Sequence, residues 1–200
     1  FQLRIVQIVK TQSSKSITNI ESSLKKIKVQ DVAPVNSWNP KFCGNLDIEI
    51  KKDGSWFYEG TKITRPNLVK LFSRILKKEG EKYFLVTPVE KVGIKVAFAP
   101  FVASSIDVSG EGRTQKISFT TNIGDKFDLN YQNSLRIDFN PKTDEPHPYV
   151  GVRHNLEALI DRKNFYRLID LGLTEMYCGH HWFGVWSNNC FFPIILSKCL

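Results

Sequence analysis

The stretch Ile63-Thr64-Arg65-Pro66-Asn67-Leu68-Val69-Lys70-Leu71-Phe72 is matched 97 positions later by Ile160-Asp161-Arg162-Lys163-Asn164-Phe165-Tyr166-Arg167-Leu168-Ile169. In each copy an apolar residue precedes a side chain that can cap a helix, Thr64 or Asp161, and an apolar-periodic run follows. Residues 82–87 match residues 181–186 at a similar offset. Self-similarity at a fixed spacing is typical of duplicated structural units. We therefore expect two copies of one strand–helix–strand unit.

Alternating segments and turn residues predict the strands that surround these copies. We expect strands at 46–51, 55–58, 82–87, 91–97, 101–108, 116–121, 126–131, 134–139, 148–153, 181–186 and 190–196. The first helix is expected to close at Lys77 to Gly80, and the second to span about 162–172. Short strands with regular turns favour a curled antiparallel sheet in the second half. The expected fold class is α+β with antiparallel sheets.

Composition divides the chain into a tail and two halves. Residues 1–35 are expected to form a basic tail with a short amphipathic helix over 16–28, because apolar residues recur there at helical spacing: Ile17, Ile20, Leu24 and Ile27. Pro100 marks the expected boundary between an N-terminal half at 36–100 and a C-terminal half at 101–200.

The net charge of +8 does not indicate a nucleic-acid partner once it is divided along the chain. The tail carries six basic and two acidic residues, and the remaining 165 residues carry 22 basic and 18 acidic ones, so each part contributes +4. No segment interleaves basic and aromatic residues as a phosphate-tracking surface does. No stretch approaches the ~20 apolar residues of a membrane helix, and no signal peptide is expected.

The four cysteines, at 43, 178, 190 and 199, form no Cys-x-x-Cys pair. Neither a zinc site nor a disulfide framework is therefore expected, and reduced thiols favour a cytoplasmic protein. The run Cys178-Gly179-His180-His181 is not expected to bind metal, because adjacent histidines on a strand point to opposite faces. No cofactor is expected.

Each copy of the repeat places an arginine in the first turn of its expected helix, Arg65 and Arg162. Backbone N–H groups attract anions there, and a guanidinium can add a bidentate phosphate contact. The alternative is a pair of structural arginines that bridge to Glu59 and Glu157. Both arginines are candidate ligand-binding residues.

Glu90 and Lys91 follow Thr87-Pro88 at the end of an expected strand. A carboxylate and an ammonium at such a position either clamp a polar ligand or form a salt bridge that joins the halves. Both residues are candidate ligand contacts.

Asn122 and Asp125 flank Ile123-Gly124 and offer hydrogen-bond donors and acceptors to a base or a ribose, although a tight turn favours the same residues. Arg136 and Arg153 lie on expected strands of the second half and would form an anion pocket if they share a sheet face. These four residues complete the set of candidate ligand contacts.

Six collinear strings carry a resemblance to a known family: Asp53-Gly54-Ser55-Trp56-Phe57-Tyr58-Glu59-Gly60, Leu85-Val86-Thr87-Pro88-Val89-Glu90-Lys91, Ala99-Pro100-Phe101, Thr121-Asn122-Ile123-Gly124-Asp125, Pro148-Tyr149-Val150 and Gly184-Val185-Trp186-Ser187. With further matches they extend over about residues 34–196 and resemble the bacterial domain-of-unknown-function 1285 family. The sequence departs from that family at Phe98, where an acidic residue is usual, at Asn133-Ser134 and at Asn189.

The resemblance implies a duplicated α+β core whose C-terminal half is superficially like a pleckstrin-homology fold. It also implies a signalling or sensor role, with a nucleotide-like ligand bound between the halves. No nucleophile elbow, phosphate-binding loop or zinc-protease motif is present, so we lean against an enzyme. Two alternatives stay open: a hydrolase that acts on a phosphorylated or nucleotide substrate with Asp125 or Glu90 as its base, and a protein–protein adaptor.

Overall fold

The computed structural model describes residues 33–199, so the helix expected at 16–28 lies outside the described residues. Strands account for 51% of the structure and helices for 14%. The expected α+β class is therefore wrong, and the fold is mostly β. The described chain divides into two compact units, one formed by residues 33–51 and 55–97 and the other by residues 52–54 and 98–199.

The first unit is built on one six-stranded sheet. Its elements are β1 (Phe42–Ile50), β2 (Trp56–Tyr58), β3 (Thr61–Lys62), α1 (Pro66–Arg74), β4 (Leu76–Glu79), β5 (Lys82–Val86) and β6 (Lys91–Val96). The strand order is β3-β2-β1-β6-β5-β4, and the central pair of β1 and β6 is parallel. Ile48, Trp56 and Phe72 are buried in the core of this unit.

The second unit combines a six-stranded sheet with a three-stranded one. Its elements are β7 (Phe101–Ser109), β8 (Lys116–Thr121), β9 (Lys126–Asp128), β10 (Leu135–Phe139), β11 (Pro146–Arg153), β12 (Leu156–Ile160), α2 (Arg162–Asp170), β13 (Leu173–Tyr177), β14 (His180–Ser187) and β15 (Cys190–Leu196). The larger sheet has the order β10-β11-β12-β7-β8-β9, with β12 and β7 parallel. The smaller sheet is the antiparallel meander β13-β14-β15.

The two six-stranded sheets share one topology. In each, three consecutive strands form a meander, the next three form a second meander, and the first strand pairs in parallel with the sixth. The expectation of wholly antiparallel sheets is wrong, because each six-stranded sheet contains this parallel pair. The duplicated unit is thus a six-stranded mixed sheet, and the likeness to a pleckstrin-homology fold is not shown by this arrangement.

The expected strand–helix–strand repeat is also wrong, because its two helices occupy different places in this topology. Helix α1 connects the third and fourth strands of the first sheet, and the chain then returns to the same sheet. Helix α2 follows the sixth strand of the second sheet, and the chain then builds the separate three-stranded sheet. The matching decapeptides therefore share a local helix signal and not a common position in a duplicated unit.

The two helix starts differ in their capping. Asp161 caps α2, since its Oδ1 accepts a hydrogen bond from the Asn164 N–H at 2.8 Å. The N-cap of α1 is Arg65 and not Thr64, and no side chain caps it. Within the described residues, no helix is long and apolar enough to cross a membrane.

Candidate functional site

A groove with a volume of about 800 Å³ lies in the second unit. Its lining comes from the turn between β1 and β2, from β7, from the start of β11, from the end of β12 and from the first turns of α2. The lining residues are Lys52, Asp53, Val102, Glu145, Pro146, His147, Pro148, Leu159, Ile160, Asp161, Arg162, Phe165 and Tyr166. All of them belong to the second unit, which includes the turn residues 52–54.

An apolar surface forms much of the groove, and the reason lies in the burial of β12. This strand is central in its sheet, so Leu159 and Ile160 are both buried although they are adjacent in sequence. Phe165, on the first turn of α2, is also buried, whereas Tyr166 beside it is 53% exposed. The groove thus offers buried aliphatic groups together with one accessible aromatic ring.

Arg162 begins α2 and is held in place by the next turn of the same helix. Its Nε donates a hydrogen bond to the Tyr166 hydroxyl at 3.0 Å, and its guanidinium carbon lies 5.5 Å from the Tyr166 ring centroid. Residues four apart on a helix lie on one face, which brings these two side chains together. The hydrogen bond to Tyr166 raises the pKa of the Arg162 guanidinium, so the exposed side chain stays charged.

Lys52 supplies a second positive charge, and an aromatic pair orients it. Its ammonium lies 4.8 Å from the centroid of the Phe98 ring, and Phe98 meets the His147 ring edge-on at 5.1 Å. A cation over an aromatic face is attracted by the ring quadrupole. Phe98, which stands where the family resemblance leads one to expect an acidic residue, therefore contacts Lys52 without adding a negative charge.

Three carboxylates also line the groove, from Asp53, Glu145 and Asp161. Asp161 has a structural role as the cap of α2. Its Oδ1 accepts two hydrogen bonds from Asn164, one from the backbone N–H and one from the side-chain Nδ2. The three negative charges of these carboxylates face two positive ones, from Lys52 and Arg162. The groove is therefore mixed in charge and cannot favour a densely anionic ligand.

Asn122, Asp125 and Arg153 come together at a turn that the structure stabilises through them. Arg153 Nη1 donates to Asp125 Oδ2 at 2.6 Å, and the Arg153 side chain is only 13% exposed. Asn122 accepts a hydrogen bond from the Val102 N–H at 3.1 Å and donates one to the Gly54 carbonyl at 3.2 Å. These groups are engaged within the protein, and none of the three residues lines the groove.

Arg136 lies on β10 and is engaged by neighbouring carboxylates. Its Nε and Nη2 donate to the two oxygens of Glu157 at 2.8 and 2.9 Å, and its Nη1 donates to Asp138. The hydrogen bonds with Glu157, and to a smaller extent the one with Asp138, raise the pKa of the Arg136 guanidinium. The guanidinium also lies 4.4 Å from the Tyr149 ring centroid, and burial raises the pKa of the Tyr149 hydroxyl. Arg136 and Arg153 therefore have separate acidic partners.

The remaining candidates, Arg65, Glu90 and Lys91, belong to the first unit. Lys91 pairs with Glu79 at 3.0 Å and lies 5.0 Å from the Phe84 ring centroid, so its ion pair is internal to that unit. The Glu90 N–H donates to Thr87 Oγ1 at 3.1 Å, while its buried Oε2 has no hydrogen-bond partner in the described part of the chain. Of the eight predicted site residues, Arg162 alone lines the groove.

Sequence reasoning missed most of the groove. The sequence indicates only that Lys52 belongs to a turn and that His147 belongs to a proline-rich connection, and it does not mark either residue as a groove residue. Tyr166 is the one further groove residue that the sequence could have indicated. It follows Arg162 by four residues, so the two side chains lie on the same face of the helix. The proximity of Lys52, His147 and Arg162 depends on tertiary contacts between residues far apart in sequence.

Comparisons with known proteins identify the family. The N-terminal domain model of DUF1285, a domain of unknown function, matches residues 33–99, and the C-terminal domain model of DUF1285, a protein of unknown function, matches residues 100–194. A crystal structure of a DUF1285 family protein from Silicibacter pomeroyi DSS-3 is 52% identical, with a TM-score of 0.81 over 90% of this chain and 96% of that chain. One from Shewanella baltica OS155 is 25% identical, with a TM-score of 0.49 over 62% of this chain and 91% of that chain. No curated protein matches. The chain belongs to the DUF1285 family.

Proposed function

We propose that this protein is a non-enzymatic, cytoplasmic sensor module whose second unit binds a small nucleotide-like ligand in the groove beside Arg162. The observation that supports the proposal is the presence, in one groove of about 800 Å³, of an apolar surface, two cations and the rings of Tyr166 and His147. Ligand sites are typically clefts of ~300–1,000 Å³ with a mostly apolar lining and a few polar groups. The proposal is confined to the second unit, and a site between the halves is not needed for it.

The ligand class follows from matching chemical groups to the lining. A base can stack on the exposed ring of Tyr166 or on His147, since aromatic faces accept any base. A phosphate fits the guanidinium of Arg162, which presents planar donors, and the ammonium of Lys52. Ribose hydroxyls can donate to carboxylates such as Glu145. A nucleoside monophosphate satisfies all three kinds of group.

The charge balance limits the number of phosphates. Three carboxylates line the same groove as the two cations, so each phosphate beyond the first meets uncompensated negative charge. Unit charges a few ångströms apart near a protein surface repel by several kcal/mol at an effective dielectric constant of ~20. We therefore expect affinity to fall from the monophosphate to the triphosphate of the same nucleoside.

A titration series tests the proposal. AMP, ADP and ATP are added without magnesium to the full chain, and the melting temperature is recorded at matched free concentrations. AMP at ~100 times its dissociation constant stabilises the protein by roughly 2.7 kcal/mol, and ATP shifts the transition least. A chain that responds to none of them, or that responds most to ATP, contradicts the proposal.

The hydrolase alternative makes a different prediction. Its candidate bases lie elsewhere, because Asp125 accepts the hydrogen bond from Arg153 and Glu90 belongs to the first unit. A hydrolase would release inorganic phosphate from a nucleotide or another phosphorylated substrate. If the wild type releases inorganic phosphate and Asp125→Asn or Glu90→Gln does not, the hydrolase alternative is established and the non-enzymatic role is refuted.

A further inference from the structure

The outer strand of the three-stranded sheet, β13, presents an exposed edge. Its apolar residues Leu173, Met176 and Tyr177 are 37%, 60% and 41% exposed. Among residues 33–199, β13 pairs on one side only, with β14, so its other side is a sheet edge. Such an edge is a template for an added strand.

The other edge strands of the described sheets carry features that block strand addition. In the first unit β3 has two residues, and β4 contains Lys77 and Lys78. In the second unit β9 has three residues, two of them charged, β10 carries Arg136 and Asp138, and β15 has Pro193 in its middle. Short length, charge and proline are the usual protections of sheet edges. The five-residue strand β13 contains no proline, and Glu175 is its one charged residue.

We propose that β13 is the docking strand for an extended segment of a partner protein that alternates apolar and basic residues. The added strand would continue the sheet beyond β13, and main-chain hydrogen bonds would supply affinity. This surface involves the small sheet alone and does not depend on the groove.

The apolar part of the motif follows from the faces of β13. Leu173, Glu175 and Tyr177 share one face because side chains alternate along a strand. Tyr177 packs against Phe191 with ring centroids 5.7 Å apart, which extends an apolar surface beside the edge. Met176, on the opposite face, is the most exposed of the three apolar residues. In a strand that alternates apolar and basic residues, all the apolar residues share one face, so they fit opposite Thr174 and Met176 when the basic residues lie on the face of Glu175.

The basic part follows from Glu175 at the centre of the strand. Its carboxylate meets Arg113 at 3.3 Å and Trp186 Nε1 at 3.3 Å, and the Arg113 side chain is 68% exposed. Solvent screens an exposed pair of this kind, so the negative charge is only partly compensated. A lysine on the added strand, directly opposite Glu175, adds a favourable cross-strand pair.

Glu175 also argues against a second copy of this chain as the occupant. Antiparallel pairing of two β13 strands over their full length places Glu175 opposite Glu175, and like charges opposite each other are destabilising. A shifted register avoids that contact but shortens a ladder of only five residues. A partner with complementary charge therefore fits better than self-association.

Two capped peptides test the proposal on the full chain, one alternating valine and lysine and the other valine and aspartate. The lysine peptide binds about tenfold more tightly than the aspartate peptide in a calorimetric titration. The net charge of the protein is +8, so general attraction would favour the aspartate peptide instead. In Glu175→Gln the preference for lysine largely disappears.

Edge variants locate the binding. Met176→Lys weakens binding of the lysine peptide about tenfold, because a charged residue blocks strand addition. The matched control Phe139→Lys, at a 44% exposed position on edge strand β10, leaves it unchanged. Equal loss in both variants, no binding of the lysine peptide, or concentration-dependent dimerisation of the wild type that Met176→Lys abolishes would overturn the proposal.

Discussion

Replacing Ser187 by alanine should loosen the attachment of the three-stranded sheet to the six-stranded sheet of the second unit. Ser187 is fully buried, and its Oγ accepts a hydrogen bond from the Ile117 N–H at 3.0 Å and donates one to the Leu129 carbonyl at 2.8 Å. In Ser187→Ala the Ile117 N–H loses this acceptor, whereas the Leu129 carbonyl keeps a bond from Asn188 Nδ2 at 2.9 Å. One newly unpaired buried group costs about 1–3 kcal/mol.

The central value of about 2 kcal/mol lowers the melting temperature by roughly 4–8 °C for a chain of this size. Hydrogen exchange gives a sharper readout, because the Ile117 amide should exchange roughly 30-fold faster. The control is Ser104→Ala, whose exposed hydroxyl donates to the Thr120 carbonyl at 3.3 Å and which should change stability by less than ~0.5 kcal/mol. Unchanged Ile117 exchange in Ser187→Ala would refute the role assigned to this hydroxyl.

Three further perturbations have defined outcomes. Gly184→Ala should lower the free energy of unfolding by about 2 kcal/mol, because the new Cβ collides with the Phe192 carbonyl oxygen and the Phe191 ring. Urea unfolding measures this, and a variant as stable as the wild type would refute it. Asp125→Asn should cost about 1–2 kcal/mol, since the mostly buried Arg153 loses its ion pair, and a neutral effect would contradict it. The hydrogen bond from Lys91, and to a smaller extent the one from Lys77, lowers the pKa of Glu79 below 4.5. The ionised carboxylate therefore stabilises the folded protein above that pH, and this contribution is lost as the pH falls through the folded-state pKa. Glu79→Gln should flatten this acid dependence, and an unchanged slope would count against it.

The alternation of buried and exposed residues made a strand such as β8 predictable from sequence, whereas the strand β12, which is buried on both faces, was not recognised. The segment expected at 116–121 is β8, Lys116–Thr121. The strand β12 was missed because, as a central strand with a parallel neighbour, it is buried on both faces and shows no alternation. The strand β4 was mistaken for the end of a helix because Lys77 and Lys78 are typical there. Gly80 instead adopts positive φ in the two-residue turn that pairs Glu79 with Lys82.

Long-range pairing explains why the duplication was misread. The decapeptide match detects two helices correctly, since helical periodicity is encoded locally, although Asp161 caps its helix and Thr64 does not. The repeated sheet depends on parallel contacts of β1 with β6 and of β7 with β12, which leave no shared string in the sequence. The groove residues show the same contrast between local signals and long-range contacts. Arg162 could be predicted from its helix start, whereas Lys52 and His147 could not.

Nucleotide binding in the groove is tested most directly by a calorimetric titration of AMP into the wild type, Arg162→Ala and Arg167→Ala. Both arginines lie on α2, but Arg167 is exposed in its last turn and does not line the groove. We expect saturable binding to the wild type and to Arg167→Ala, and a loss of affinity of about tenfold or more in Arg162→Ala. Equal affinities in all three proteins, or no binding to the wild type, would contradict it.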